Sequence, residues 1–179
     1  GRQLLRELRV PLVAQPDSRA VWVIGDSPTV RPAAIESMVN QGGTVCFLPR
    51  MTPVPAQAGL KGTARTFVHI LDIADHPLLR GIGPGLVRVR DSLPLLFFDT
   101  VGQPAGVEVL LDGLVLVQRR NAGRKVYLQV SPRMLEARCD TRPDEKEAVQ
   151  LSVVRLHQLA ARLLTNLSVG TDIAAGERL

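Results

Sequence analysis

Apolar and polar positions alternate along this chain in two distinct rhythms. Leu4, Leu5 and Leu8 form a short stripe at helical spacing with Arg2, Arg6 and Glu7 facing away, and such a helix stops before Pro11. Residues 10–14 read as a first strand, followed by the turn cluster Gln15-Pro16-Asp17-Ser18. Val21-Trp22-Val23-Ile24 is a wholly apolar run that ends in Gly25-Asp26-Ser27-Pro28, the pattern of a central parallel strand covered on both faces. Pro32 opens a helix at its first turn, where its missing N–H costs nothing, with Ile35, Met38 and Val39 on the buried side. Gln41-Gly42-Gly43 closes that helix, because glycine accepts the left-handed C-terminal conformation. Thr44-Val45-Cys46-Phe47-Leu48 is the next strand, stopped by Pro49, and the strand–helix–strand unit predicts a right-handed crossover.

The middle of the chain is less regular. Residues 50–61, rich in Pro, Gly and Ala, predict a loop, and residues 67–71 a strand. Residues 74–81 predict a turn with a short helical segment, and the proline inside 93–98 predicts an edge or irregular strand. Asp112-Gly113 between two apolar runs, 107–111 and 114–117, is a two-residue hairpin turn needing positive φ. Asn121-Ala122-Gly123 makes a second turn before a strand over 125–130, so this region is an antiparallel meander. A long helix starts within 141–144, with Pro143 in its first turn and Asp144, Glu145 and Glu147 complementing its dipole. Its stripe is Val149, Val153, Leu156, Ala160, Leu163, Leu164 and Leu167, with Arg155, Gln158 and Arg162 opposite. The predicted fold is α/β: a Rossmann-like, flavodoxin-like, mainly parallel sheet flanked by helices, with an antiparallel hairpin extension, over 1–169. Residues 170–179 carry no pattern and read as a linker or tail.

Composition narrows the chemistry. A chain of 179 residues can bury a core without disulfide or metal staples. The formal charge is +5, and all the cationic side chains except Lys61, Lys125 and Lys146 are arginines. They are spread along the chain with only 3% aromatic residues, which speaks for solvated surface charge and against nucleic acid as a partner. The densest group, Arg119, Arg120, Arg124 and Lys125, surrounds the second hairpin turn. Cys46 and Cys139 lack metal-ligand spacing, and Cys46 lies in an apolar run that marks it as core. The sequence has no run of 18 apolar residues and no signal-peptide pattern, so neither a membrane span nor export by this N-terminus is expected. The start, Gly1-Arg2-Gln3-Leu4-Leu5 already in helical register, reads as a piece of a longer polypeptide.

Several motifs together resemble a known family. They are Val21-Trp22-Val23-Ile24-Gly25, the helix ending Gln41-Gly42-Gly43-Thr44-Val45, and Asp75-His76-Pro77-Leu78-Leu79-Arg80-Gly81-Ile82. Leu110-Leu111-Asp112-Gly113, Gly123-Arg124-Lys125-Val126-Tyr127-Leu128-Gln129-Val130-Ser131-Pro132 and the ending Leu163-Leu164-Thr165-Asn166-Leu167 complete the set. In order and spacing they resemble class I glutamine-amidotransferase-like domains, and more narrowly the non-catalytic kind attached to large β-galactosidase-like glycoside hydrolases. The resemblance implies an accessory domain that packs against other domains of the same polypeptide or between subunits of a homo-oligomer.

The departures bear on catalysis. Working members of that fold present a nucleophilic cysteine on a glycine-flanked elbow, activated by a later His-x-Glu pair. Neither Cys46 nor Cys139 has a glycine beside it, and none of His69, His76 and His157 is followed two residues on by Glu. No catalytic residue, metal ligand or cofactor is therefore assigned. His76 before Pro77 reads as a residue fixing a turn by one hydrogen bond, His157 as a partly buried helix residue and His69 as a structural strand position. Asp72, Asp75, Asp91 and Asp99 fall in predicted loops, but glycoside-hydrolase carboxylates belong to a separate barrel domain that this chain cannot contain. Gly81-Ile82-Gly83-Pro84-Gly85 follows no apolar strand, and Pro84 removes a donor from any phosphate cradle. Gly25, Asp26 and Ser27, at the carboxyl end of a parallel strand, are the candidate contacts for a small ligand such as a carbohydrate. Two other readings follow: a sugar-binding or metabolite-binding module using those three residues, and an enzyme of another type on the same fold.

Overall fold

The structure, a computed structural model, describes residues 5–6, 21–25, 31–48, 59–69, 73–129 and 146–167. Its elements are β1 (Val21–Ile24), α1 (Pro32–Asn40), β2 (Thr44–Phe47), β3 (Gly62–His69), β4 (Arg88–Phe98), β5 (Val107–Leu110), β6 (Val115–Arg120), β7 (Gly123–Leu128) and α2 (Lys146–Asn166). Short 3₁₀ turns occur at Pro77–Leu79 and Leu111–Gly113. The fold is mixed α/β: a five-stranded sheet in the order β1-β2-β7-β6-β5, with β3 and β4 forming a separate antiparallel ribbon. β1, β2 and β7 pair in parallel, while β6 runs antiparallel to both β7 and β5. β5 consequently points the same way as the parallel strands, and β6 is the single reversed member of this sheet.

α1 forms where its sequence punctuation places it. Pro32 stands in the first turn, and the end is closed by Gly43 N–H donating to Met38 O and Gly42 N–H to Val39 O, both at 3.0 Å. That pair of bonds satisfies two of the last carbonyls and requires a left-handed residue, which Gly42 supplies at φ +92°. Val39 and Met38 are buried as expected, with Ile35 packed against them.

The strand registers sort the side chains onto two faces. Trp22, Ile24, Val45 and Phe47 meet α1, and Phe98, Leu116 and Tyr127 continue that face beneath β5 and β6. Phe47 stacks on Tyr127 with ring centroids 4.7 Å apart, and Phe98 meets Tyr127 edge-on at 6.0 Å. Cys46, Val126, Leu128, Val115, Val117 and Leu110 face the other way, onto Val149, Leu156, Leu159, Leu163 and Leu164 of α2 and Leu167 just beyond its end. The two helices thus cover opposite faces. Leu156, Leu159 and Leu164 are fully buried, each contributing roughly 2 kcal/mol by leaving water. Of the stripe expected for this helix all are buried except Val153, which is half-buried, while Ser152 and Leu159 join the buried face unforeseen.

The expected central strand is a correction. Among the described residues β1 pairs only with β2 and lies at the edge of the sheet, and the inner parallel strands are β2 and β7. An apolar run reports that both faces are covered, and an edge strand between two layers meets that condition as well. β3 begins at Gly62, five residues before the expected start, and β4 runs for 11 residues from Arg88, so Asp91 sits within a strand and not in a loop. Pro94 is opposite Thr66 in this ribbon of two strands, whose outer edges tolerate a missing donor. Expectations for residues 10–14, for 50–58, for the start of the long helix and for 170–179 lie outside the described residues.

Both hairpin turns hold the residues expected of them. Asp112 (φ 51°, ψ 30°) and Gly113 (φ 99°) occupy the centre of a mirror-image turn closed by Leu114 N–H donating to Leu111 O at 3.0 Å. Leu111 is also left-handed, at φ 48°, so the ladder ends one pair earlier, at Leu110 and Val115. Burial of the Leu111 side chain offsets a backbone cost of about 1–2 kcal/mol. At the second turn Asn121 (φ 50°) donates through Nδ2 to Asn40 Oδ1 at 2.9 Å, tying the hairpin to the end of α1.

Candidate functional site

The parallel strands finish along one edge of the sheet. Leu48 N–H donates to Ile24 O and Gln129 N–H to Leu114 O, both at 2.8 Å, which brings the ends of β2 and β1, and of β7 and β6, together. Gly25 stands half-buried at this edge, directly after β1. Asp26 and Ser27, the other two candidate ligand contacts, lie outside the described residues. Gln129 is a buried polar residue at the same edge, which no local sequence signal distinguishes from its strand neighbours.

Cys46 is the free thiol among the described residues, and a nucleophilic role would require it to be exposed. It occupies the middle of β2, opposite Val23 and Val126, and its side chain is fully buried. Burial pushes its pKa up to about 12. At pH 8 on the order of one thiol in ten thousand would be ionised, and reagents have no path to it without opening of the sheet. In a Cys139→Ser background the native protein should therefore leave a disulfide reagent unreacted over an hour at pH 8, with one equivalent released in denaturant. Rapid release from folded protein would contradict this placement of Cys46. Cys139 itself is outside the described residues.

His76 does what its position before Pro77 predicts. Its Nδ1 accepts the Leu78 N–H at 3.1 Å and so caps the Pro77–Leu79 turn. A neutral ring accepting at Nδ1 carries its proton on Nε2, which lies 3.5 Å from Glu108 Oε2 on β5. Asn166 Nδ2 donates to Leu78 O at 2.8 Å and Arg80 O at 2.9 Å, fastening the same turn to the end of α2. Beside it runs an open groove of about 780 Å³ whose walls include Asp75, His76, Arg80 and Ile82. Gly81-Ile82-Gly83-Pro84-Gly85 lies between this turn and β4 and opens no helix, so it makes no phosphate loop.

The remaining candidates stay apart. His157 Nδ1 lies 3.1 Å from the carbonyl of Val153 one turn back along α2, and His69 ends β3. Asp99 accepts from the Thr63 hydroxyl at 2.8 Å beside the β3–β4 ribbon, and Asp72 is outside the described residues. No group of three or more His, Cys, Asp or Glu side chains is placed to hold a metal ion among the described residues. No helix described is long and apolar enough to cross a membrane.

Two polar features escaped sequence reading because their partners are distant along the chain. Lys125, nearly buried on the α1 face, pairs its Nζ with Glu36 Oε1 of α1, 89 residues away. The neighbouring Tyr127 hydroxyl has its pKa pushed up to about 12, first by burial and then by the charge of Glu36, against the opposing effect of Arg120. Gln118, the cross-strand partner of Lys125, is fully buried with neither amide atom hydrogen-bonded to the protein.

No protein-family model matches this sequence, and no curated protein matches it at a significant level.

Proposed function

We propose that this chain is a non-catalytic accessory domain, Rossmann-like in class, of a larger carbohydrate-active enzyme of the β-galactosidase-like kind. The observation that carries the non-catalytic reading is the placement of Cys46 deep in the sheet, with its thiol held in the protonated form. His76 supports it by serving as a turn cap anchored to Glu108. A packing role is supported by Leu151 and Val154, which stand 40% exposed one turn apart on the outer side of α2. The carbohydrate-active parent rests on the family resemblance of the sequence motifs.

The test is direct. Purified chain should show no glutaminase and no glycosidase activity above a blank, and an immunoblot of the source cells should show a band far above 19.4 kDa. Turnover at ordinary enzyme rates, or a native product of this mass, would sink the proposal. A second reading, a sugar-binding or metabolite-binding module, is favoured by the convergence of Gly25, Leu48 and Gln129 at the ends of three parallel strands. Calorimetric titration with a glycan panel separates the two: flat traces throughout remove the binding module.

A further inference from the structure

One rung of the sheet gathers positive charge at the end opposite Gly25. Val21, Thr44, Arg124 and Arg119 are successive cross-strand partners from β1 through β2 and β7 to β6, all on the α2 face. Arg119 N–H donates outward to Gly106 O at 2.9 Å, and Arg124 N–H donates the other way to Gly43 O at 3.1 Å. The two arginines therefore form a non-hydrogen-bonded pair, the arrangement that brings side chains closest, with Cβ atoms roughly 4.5–5.5 Å apart. Like charges directly opposite one another destabilise a sheet, so this rung carries a local cost. Burial, and after it the charge of Arg119, lowers the pKa of Arg124 from the ordinary guanidinium value.

No carboxylate among the described residues answers these groups. Among the described residues neither Arg119, Arg120 nor Arg124 forms an ion pair. Glu108, one cross-strand position from Arg119 on the same face, is engaged with His76, and Glu36 is engaged with Lys125 on the opposite face. Arg124 Nε donates to Thr44 Oγ1 at 3.1 Å, which fixes the plane of the guanidinium and leaves its terminal nitrogens available. The Thr44 oxygen accepts in that bond, so its own proton can be donated. Arg119 is exposed and Arg124 half-buried, giving access from solvent with partial desolvation beneath.

We infer that this rung binds a tetrahedral oxyanion, a phosphate group, through the guanidinium groups of Arg119 and Arg124 and the hydroxyl of Thr44. A planar carboxylate is matched by a single guanidinium fork, whereas three donors from three directions match a tetrahedral ion. The aromatic side chains Phe47 and Tyr127 lie on the other face of the sheet, so bases have nothing to stack on here and a nucleic-acid strand is not the ligand expected. The bound anion would remove the repulsion between the arginines, linking occupancy to stability.

The whole chain is titrated with inorganic phosphate, with glycerol 3-phosphate and with acetate at constant ionic strength, and thermal midpoints are recorded in parallel. Phosphate should raise the midpoint where equal acetate does not. Arg119→Gln should raise the midpoint in chloride alone and abolish the phosphate increment, while Thr44→Val should weaken phosphate binding roughly threefold or more. Glycerol 3-phosphate binding at least about tenfold tighter than phosphate assigns the group to a phosphorylated metabolite, and equal affinities assign it to free phosphate. A phosphate increment that persists undiminished in Arg119→Gln, or one matched by acetate, overturns the site.

Discussion

Replacing Gly123 with alanine should lower stability by roughly 4 kcal/mol, moving the thermal midpoint down by about 8–16 °C in a domain of this size. Gly123 opens β7 directly beneath the end of α1. A Cβ there would lie 2.1 Å from Val39 O and 2.6 Å from Gly43 O. Both atoms are backbone, and neither can swing aside. Gly43 O already accepts the Arg124 N–H, and Val39 O accepts the Gly42 N–H that closes α1. Making room for one methyl group thus pulls the helix end off the sheet and strains two hydrogen bonds, each worth about 1 kcal/mol net. The same substitution at Gly85, where an added Cβ meets nothing within 4 Å, serves as the control and should change stability by no more than about 0.5 kcal/mol. Circular dichroism melts of the two variants decide it; equal midpoints would contradict the close approach.

Gly113→Ala should cost about 3 kcal/mol, from two sources that add. The residue sits at φ +99°, where a side chain is strained, and its Cβ would stand 2.4 Å from Phe98 O and 2.9 Å from Phe98 N. The β5–β6 turn is therefore seated against the last residue of β4, so that the turn, the ribbon and the sheet share one contact. Urea unfolding should show a lower midpoint concentration with an unchanged slope, since the substitution leaves the surface newly exposed on unfolding the same. An unshifted urea midpoint in Gly113→Ala would mean that Phe98 does not abut the turn.

Local chemistry was legible in the sequence wherever a residue type admits few conformations. Pro32 and Gly42 bracket α1, Asp112-Gly113 and Asn121 mark the hairpins, and His76 before Pro77 announces a capped turn. The burial of Cys46 follows from its apolar neighbours, whatever strands pair with it. What escaped was decided by partners far away. β3 starts in the polar stretch Gly62-Thr63-Ala64-Arg65, which becomes strand because residues 95–98 offer it a ladder. Asp91 lies in β4 for the same reason. The pairing of Lys125 with Glu36 and the turning of Glu108 towards His76 have no local signature at all. Of the candidate ligand contacts, the strand end at Gly25 was readable from its glycine, whereas the polar Gln129 at the same edge was not.

The strand order also sets how this sheet can assemble. β1, α1 and β2 are contiguous in the chain, and so is the β5–β6–β7 meander, so each half can form through short loops. The seam between β2 and β7 is different: it joins residues 80 positions apart, as Thr44 and Arg124 do. Closing a loop of that length carries an entropy cost of about 4 kcal/mol before any seam contact repays it. Folding should therefore be limited by the zipping of two preformed halves along that seam, with the fit of Gly123 under the end of α1 as the step that locks them.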